Sequence, residues 1–154
     1  MIFNLTSDGE HILGNDTIFE GIQVLVALTE GDKEVNINLV DDEEMFELNH
    51  QWRKKESSTD VLSFSAEENG IMPGTEHILG DIIVNYELAH ERAKELGHRF
   101  EEEVMVLIVH GLLHLMGYDH EKNASEAKRQ LDEEIRLLNA MNIKSEIALI
   151  GRTG

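Results

Sequence analysis

Apolar and polar residues follow each other along this chain in two rhythms, and the rhythm assigns most of its elements. Around Asn4 the apolar Ile2, Phe3 and Leu5 mark a first strand over residues 1–6, and Ser7-Asp8-Gly9 reads as a turn. Between residues 16 and 29, Ile18, Phe19, Ile22, Leu25, Val26 and Leu28 recur mostly three and four apart, the stripe of an amphipathic helix packed on one face. Gly31-Asp32-Lys33 interrupts it. Val35, Ile37 and Leu39 then alternate with Asn36 and Asn38, the period of a half-buried strand. Asp41 with Glu44 three residues on has the form of a capping box, and the helix it opens carries Met45, Phe46, Leu48, Asn49 and Trp52.

Ser57, Ser58 and Thr59 form a polar linker before Asp60-Val61-Leu62-Ser63-Phe64, a strand by its β-branched and aromatic content. Residues 67–75 hold Gly70, Gly74 and the only proline, Pro73, the composition of a mobile loop. Residues 78–84 form another strand with Gly80 and Asp81 inside it. Asn85 caps a helix over 86–96 that Gly97 ends, and Glu101, Glu102 and Glu103 open the next, where negative charge suits the helix dipole. Asn123 with Glu126 opens a last helix along Ala127, Leu131, Ile135, Leu138 and Met141. From residue 144 on the pattern defines nothing. Four strands intermixed with about five helices predict an α+β, mixed α/β fold in a single domain over residues 1–154, with no internal repeat. The order of the strands is not contained in the pattern.

Composition narrows this further. The longest apolar run, residues 104–109, is too short to cross a bilayer, and the first twenty residues carry Asp8, Glu10, Asp16 and Glu20 without a basic start, so neither membrane contact nor a signal peptide is expected. A cytoplasmic location follows as an expectation. With no cysteine, any metal must be held by His, Asp or Glu. The net charge of −18 repels nucleic acid, so contact with a polyanion has to be local. Arg53-Lys54-Lys55 hold three of the thirteen basic residues and, taken alone, suit a solvated turn after a helix.

The sharpest chemistry lies at His110-Gly111-Leu112-Leu113-His114-Leu115-Met116-Gly117-Tyr118-Asp119-His120. On a helix His110 and His114 share one face with Cβ atoms roughly 5–6 Å apart, so two imidazoles can converge on one ion. Gly117 stands where a helix ends in a left-handed residue, and the returning chain brings His120 within reach as a third ligand. With eight histidines in the chain the pair alone can arise by chance; the glycine break and third histidine make chance a poor account. The spacing is that of the zinc-peptidase signature H-E-x-x-H-x-x-G-x-x-H, except that Gly111 replaces the glutamate that acts there as general base.

Three neutral imidazoles leave one zinc ion its full charge and an open position, the form of a catalytic site. Water there ionises at a pH of roughly 7, so the site is hydrolytic by default. Nickel, copper or iron suit the same ligands. If the bond attacked is a phosphodiester, a forked guanidinium can stabilise the developing charge without any group at position 111, and Arg53 is the candidate. Asp119 fits either an outer-sphere partner of a ligand or an ordinary turn aspartate. His11, His50, His77, His90 and His98 lie in polar surroundings without paired spacing and read as surface residues.

Taken with Thr59-Asp60-Val61-Leu62-Ser63-Phe64 and Leu79-Gly80-Asp81-Ile82, the motif from His110 to His120 resembles the YbeY family of endoribonucleases over about residues 48–135. That resemblance implies a single-strand-specific, metal-dependent endoribonuclease of 16S rRNA 3′-end maturation and ribosome quality control. It implies zinc, one ion per chain, on His110, His114 and His120, and an arginine important for activity at Arg53. The implied partners are single-stranded rRNA within a ribosomal particle and ribosomal proteins. Members often carry glycine after the arginine, proline before T-D and proline after the phenylalanine, where this chain has Lys54, Ser58 and Ser65. Two rivals remain on the residues alone: a zinc metallopeptidase lacking the usual glutamate base, and a non-catalytic ribosome-assembly factor whose metal only secures the fold.

Overall fold

A computed structural model describes residues 1–8, 12, 14–68 and 73–144. The expected turn at Gly9, the placement of His11, the middle of the loop over 67–75 and the tail from residue 145 lie outside the described residues. Nine elements follow in order: β1 (Ile2–Ser7), α1 (Asp16–Leu28), β2 (Glu34–Val40), α2 (Asp42–Arg53), β3 (Val61–Ser65), β4 (Ile78–Asn85), α3 (Tyr86–Leu96), α4 (Phe100–Leu115) and α5 (Ala124–Ala140). Four strands and five helices make the α+β fold expected from the pattern.

The sheet runs β1-β2-β4-β3. β1 pairs parallel with β2 and β2 parallel with β4, whereas β3 lies antiparallel to β4 on the edge. The two parallel pairs need crossovers long enough to reverse the chain, which α1 and α2 supply. Alternation then sorts the side chains. Val35, Ile37, Leu39, Ile82 and Val84 face a layer of α1, α3, α4 and α5, while Val40, Leu62 and Ile83 face Met45 and Leu48 of α2 on the other side.

α4 is the axis of the larger layer. Val104 to Val109, Leu112 and Leu113 are all buried, and the helix touches β3, β4, α1, α3 and α5. Each such aliphatic side chain contributes about 1.5–3 kcal/mol on leaving water, which is why a helix apolar on nearly every side belongs at the centre. The stripe of α1 is narrower than the sequence suggested. Ile18, Ile22 and Leu25 are buried, whereas Phe19, Val26 and Leu28 stand 61%, 41% and 39% exposed because they fall on the flank of that line. No helix among the described residues is long and apolar enough to cross a membrane.

The helices begin where short polar side chains cap them. Asn15, Asp41, Asn85 and Asn123 each accept a hydrogen bond from the backbone N–H three residues on. α4 starts differently: the Glu102 carboxylate accepts from the Arg99 backbone N–H, and Glu101 accepts from the Asn15 side chain. That second bond ties the start of α1 to the start of the central helix.

Candidate active site

The last two turns of α4 and the chain just beyond it form one wall of a cleft. After Leu115 the helix closes with the Gly117 N–H donating to His114 O and the Tyr118 N–H to Leu113 O, at 3.1 and 3.0 Å. That pairing requires a left-handed residue, and Gly117 has φ +98°. The chain turns back over the helix end, where Arg129 of α5 sits 4.0 Å above the Tyr118 ring. His120 is thereby returned towards His110; the two rings lie 5.1 Å apart and are inclined by 58°.

Opposite stands the edge strand. Arg53, the last residue of α2, reaches β3, where its Nη2 donates to Ser63 O at 2.7 Å and its guanidinium covers the Phe64 ring at 4.6 Å. Lys54 turns the chain away at φ 59°, and the Asn49 side chain holds the linker by donating to Ser57 O. Glu68, just after β3, faces the same guanidinium at 3.3 Å. The cleft between these walls has a volume of about 220 Å³ and is lined by Arg53, Ser63, Glu68, His110, His114, Asp119, His120 and Glu121, with Val61 and Leu62 at its base.

All four residues singled out from the sequence, Arg53, His110, His114 and His120, therefore line one cleft. Their states differ. His110 is nearly buried and its Nδ1 lies 2.7 Å from Oε1 of Glu134, so coordination of an ion by this ring would use Nε2. His120 has a buried Nδ1 with no hydrogen-bond partner, and His114 is exposed. Among the described residues no group of three His, Asp or Glu side chains is already drawn together as a metal cage. The donor set nonetheless suits a divalent transition ion: imidazoles only, one of them braced by a carboxylate and one carrying an unsatisfied buried nitrogen.

Gly111 has a reason beyond the missing glutamate. A Cβ there would stand 2.9 Å from both Ile82 Cγ2 and Ser63 Oγ, and Ser63 Oγ donates to Gly111 O at 3.4 Å. The helix lies so close to β3 and β4 that any side chain at this position would require those of Ile82 and Ser63 to shift. A glutamate of the peptidase type would have to displace both.

The residues around the histidines were not foreseen. Gln130 and Glu134 of α5 are buried, and the Gln130 amide donates to Glu134 Oε1 at 3.2 Å while lying 3.4 Å from His110 Nδ1. Their signal was available: they share the line of Leu137 and Leu138, two polar positions on a buried stripe. Glu68 gave no signal. Asp119 makes the local bond of a turn aspartate, its Oδ1 accepting from the Glu121 N–H at 3.0 Å. Of the remaining histidines, His50 and His77 are exposed, and His90 stacks on Phe100 at 3.6 Å. His98 is not a surface residue: its side chain is 6% exposed and pairs at 2.7 Å with the buried Glu103. A polar neighbourhood in sequence says nothing about the helix turn that folds over it.

Fold and cleft together define a class: an α+β protein whose mixed sheet and central helix present three histidines and an arginine to one open cleft. A family model described as Endoribonuclease YbeY matches residues 11–142. The Endoribonuclease YbeY of Aquifex aeolicus is 44% identical over 118 residues, covering 77% of each chain. That of Alkaliphilus oremlandii is 42% identical over 127 residues, 82% of this chain and 79% of the relative. The solution structure of TM1509 from Thermotoga maritima is similar with a TM-score of 0.65 at 29% identity, covering 91% of this chain and 89% of that one. This chain belongs to the YbeY endoribonuclease family.

Proposed function

We propose that this protein is a metal-dependent endoribonuclease that cuts single-stranded RNA, acting in maturation of the 3′ end of 16S rRNA and in ribosome quality control in the cytoplasm. The observation that carries the reading is the convergence of His110, His114, His120 and Arg53 on one cleft of about 220 Å³. Family membership supplies the substrate class.

The three histidines would hold the ion, zinc by ligand type. When bound it supplies Lewis-acid activation of water near neutral pH. The chain's own groups account for the rest. Glu134, held by Gln130, fixes the tautomer and orientation of the His110 ring. Arg53 is anchored through Ser63 O and the Phe64 face, with the guanidinium presented to a substrate phosphate as charge develops on its non-bridging oxygens. At a net charge of −18 the surface gives little help in capturing RNA, which supports delivery of the strand within a ribosomal particle by ribosomal proteins.

Metal content measured alongside cleavage of single-stranded RNA, with and without chelator, tests this directly. One zinc per chain and chelator-sensitive cleavage are expected. Arg53→Ala should keep the metal and lose cleavage by about 10²–10³-fold, the usual effect of removing one donor to a developing oxyanion. Cleavage surviving in that variant removes Arg53 from the mechanism. Metal without any RNA cleavage would favour the assembly factor with a structural ion.

A further inference from the structure

Arg53 is held on three sides, and the three holds are not alike. The bond to Ser63 O is short, 2.7 Å, and the Phe64 ring supports the guanidinium plane from 4.6 Å. Glu68 contributes two long contacts, 3.5 Å from Nη1 to Oε1 and 3.3 Å from Nη2 to Oε2, at the limit of hydrogen bonding. Its Oε2 is already shared with the Ser65 N–H at 3.2 Å, and the Glu68 N–H donates in turn to Ser65 Oγ at 3.2 Å. A residue with no N–H, such as proline, could not make the first of these bonds at position 65. The two charged side chains are 34% and 43% exposed, so water competes for both.

We propose that Glu68 is an internal stand-in for the substrate phosphate: it occupies the Arg53 fork in the resting protein and yields it to a phosphodiester oxygen when RNA binds, thereby setting the affinity of the cleft. The proposal rests on reading the cleft as an RNA site and adds the residue that RNA must displace. Bond lengths assign the parts. The backbone carbonyl and the aromatic face position Arg53 whether or not Glu68 is present, while the long bonds let the carboxylate leave without releasing the guanidinium. Because one oxygen, Oε2, serves both donors, leaving the fork also loosens the bond from the Ser65 N–H.

Two consequences follow that general acidity does not share. Neutralising Glu68 removes a competitor in direct contact with Arg53, so RNA should bind more tightly than neutralising an equally charged neighbour allows. The salt dependence should also steepen. When RNA binds the parent protein, the displaced carboxylate takes up a cation from solution, and this offsets part of the counterion release of about 0.7 per neutralised phosphate on a single strand.

The test is binding of a fluorescent single-stranded oligoribonucleotide to the full, metal-loaded chain, read by stopped flow before cleavage, across a range of salt. Glu68→Gln keeps the acceptor for the Ser65 N–H and should tighten binding about three- to fivefold, the scale of a partly exposed ion pair, with a steeper salt slope. Glu67→Gln, exposed and without a bond to Arg53, should change affinity by less than about twofold. In an Arg53→Ala background Glu68→Gln should lose most of its effect. Equal affinity and slope in parent and Glu68→Gln, or an effect matched by Glu67→Gln or undiminished without Arg53, overturns the proposal while leaving the RNA site intact. Absence of binding in both parent and Glu68→Gln ends the proposal and the RNA reading together.

Discussion

Lys54 holds a backbone conformation, φ 59° and ψ 32°, that costs a residue with a Cβ about 1–2 kcal/mol. It ends α2 directly after Arg53, and its Nζ donates to Gln51 O at 3.1 Å without relieving the backbone. Glycine adopts this conformation freely but loses more freedom on folding, so Lys54→Gly should stabilise the protein by a net of about 0.5–1 kcal/mol. Urea unfolding with an unchanged slope checks it; a midpoint that does not rise would mean the lysine side chain holds the turn. At this scale the sequence was informative where the geometry is local. His110, His114, Gly117 and His120 lie within one helix end and its return, so spacing alone could gather them on one cleft. Glu68 and Glu134 meet Arg53 and His110 only through the folding of distant segments, and no spacing encodes that. Gly111 was visible as an anomaly, but its setting is the close approach of Ser63 on β3 and Ile82 on β4, which are distant in sequence.

α5 shows how an element acts beyond its own packing. Its line of Gln130, Glu134, Leu137 and Leu138 is buried against α4, so the same contact that seats the helix also delivers a carboxylate to His110 Nδ1. A carboxylate behind a ligating imidazole fixes its tautomer and raises its basicity, and losing one typically weakens metal binding by about 10–100-fold. Glu134→Gln should therefore reduce zinc affinity by that factor in a chelator competition, with cleavage recovered at high zinc if thermal unfolding shows the fold intact. Unchanged zinc affinity would leave Glu134 a purely structural partner. Element boundaries were largely legible because caps announce them: Asp41, Asn85 and Asn123 were read from sequence and each bonds its third following N–H. Strand order was not legible. β4 lies between β2 and β3 in the sheet although it follows both in the chain, and nothing in the alternation of Val35 to Leu39 names the neighbour. The start of α4 was legible from Glu101, Glu102 and Glu103 and not from a cap, because Arg99 is not a residue type that caps helices and the bond there comes from Glu102.

For the molecule as a whole, the net charge of −18 includes a cluster of carboxylates where α2 meets the end of β1. Glu44 is pushed up to about 7 from an ordinary value near 4.5, chiefly by a hydrogen bond with the Asp8 carboxyl, then by burial and by the charges of Asp8, Asp41 and Glu47. Tyr86 beside it is raised as well, by burial and then by Asp41, Glu87, Asp8 and Glu44. A carboxyl whose folded value is raised binds its proton more tightly in the native state than in the unfolded chain. Its contribution is thus fully present below about pH 4.5 and is lost as pH rises through about 7. Thermal stability at low salt should fall across that window, in the opposite sense to a protein held by ion-paired carboxylates. Glu44→Gln should flatten the fall, because the amide cannot ionise yet still bonds the Asp8 oxygen. Raising the ionic strength should flatten it in the parent too, since the like charges around Glu44 are exposed enough to be screened. Melting temperatures of both proteins across the window, at low and high salt, decide the matter. A parent whose melting point rises with pH, or a Glu44→Gln variant with the parental slope, would place the repulsion elsewhere on the acidic surface.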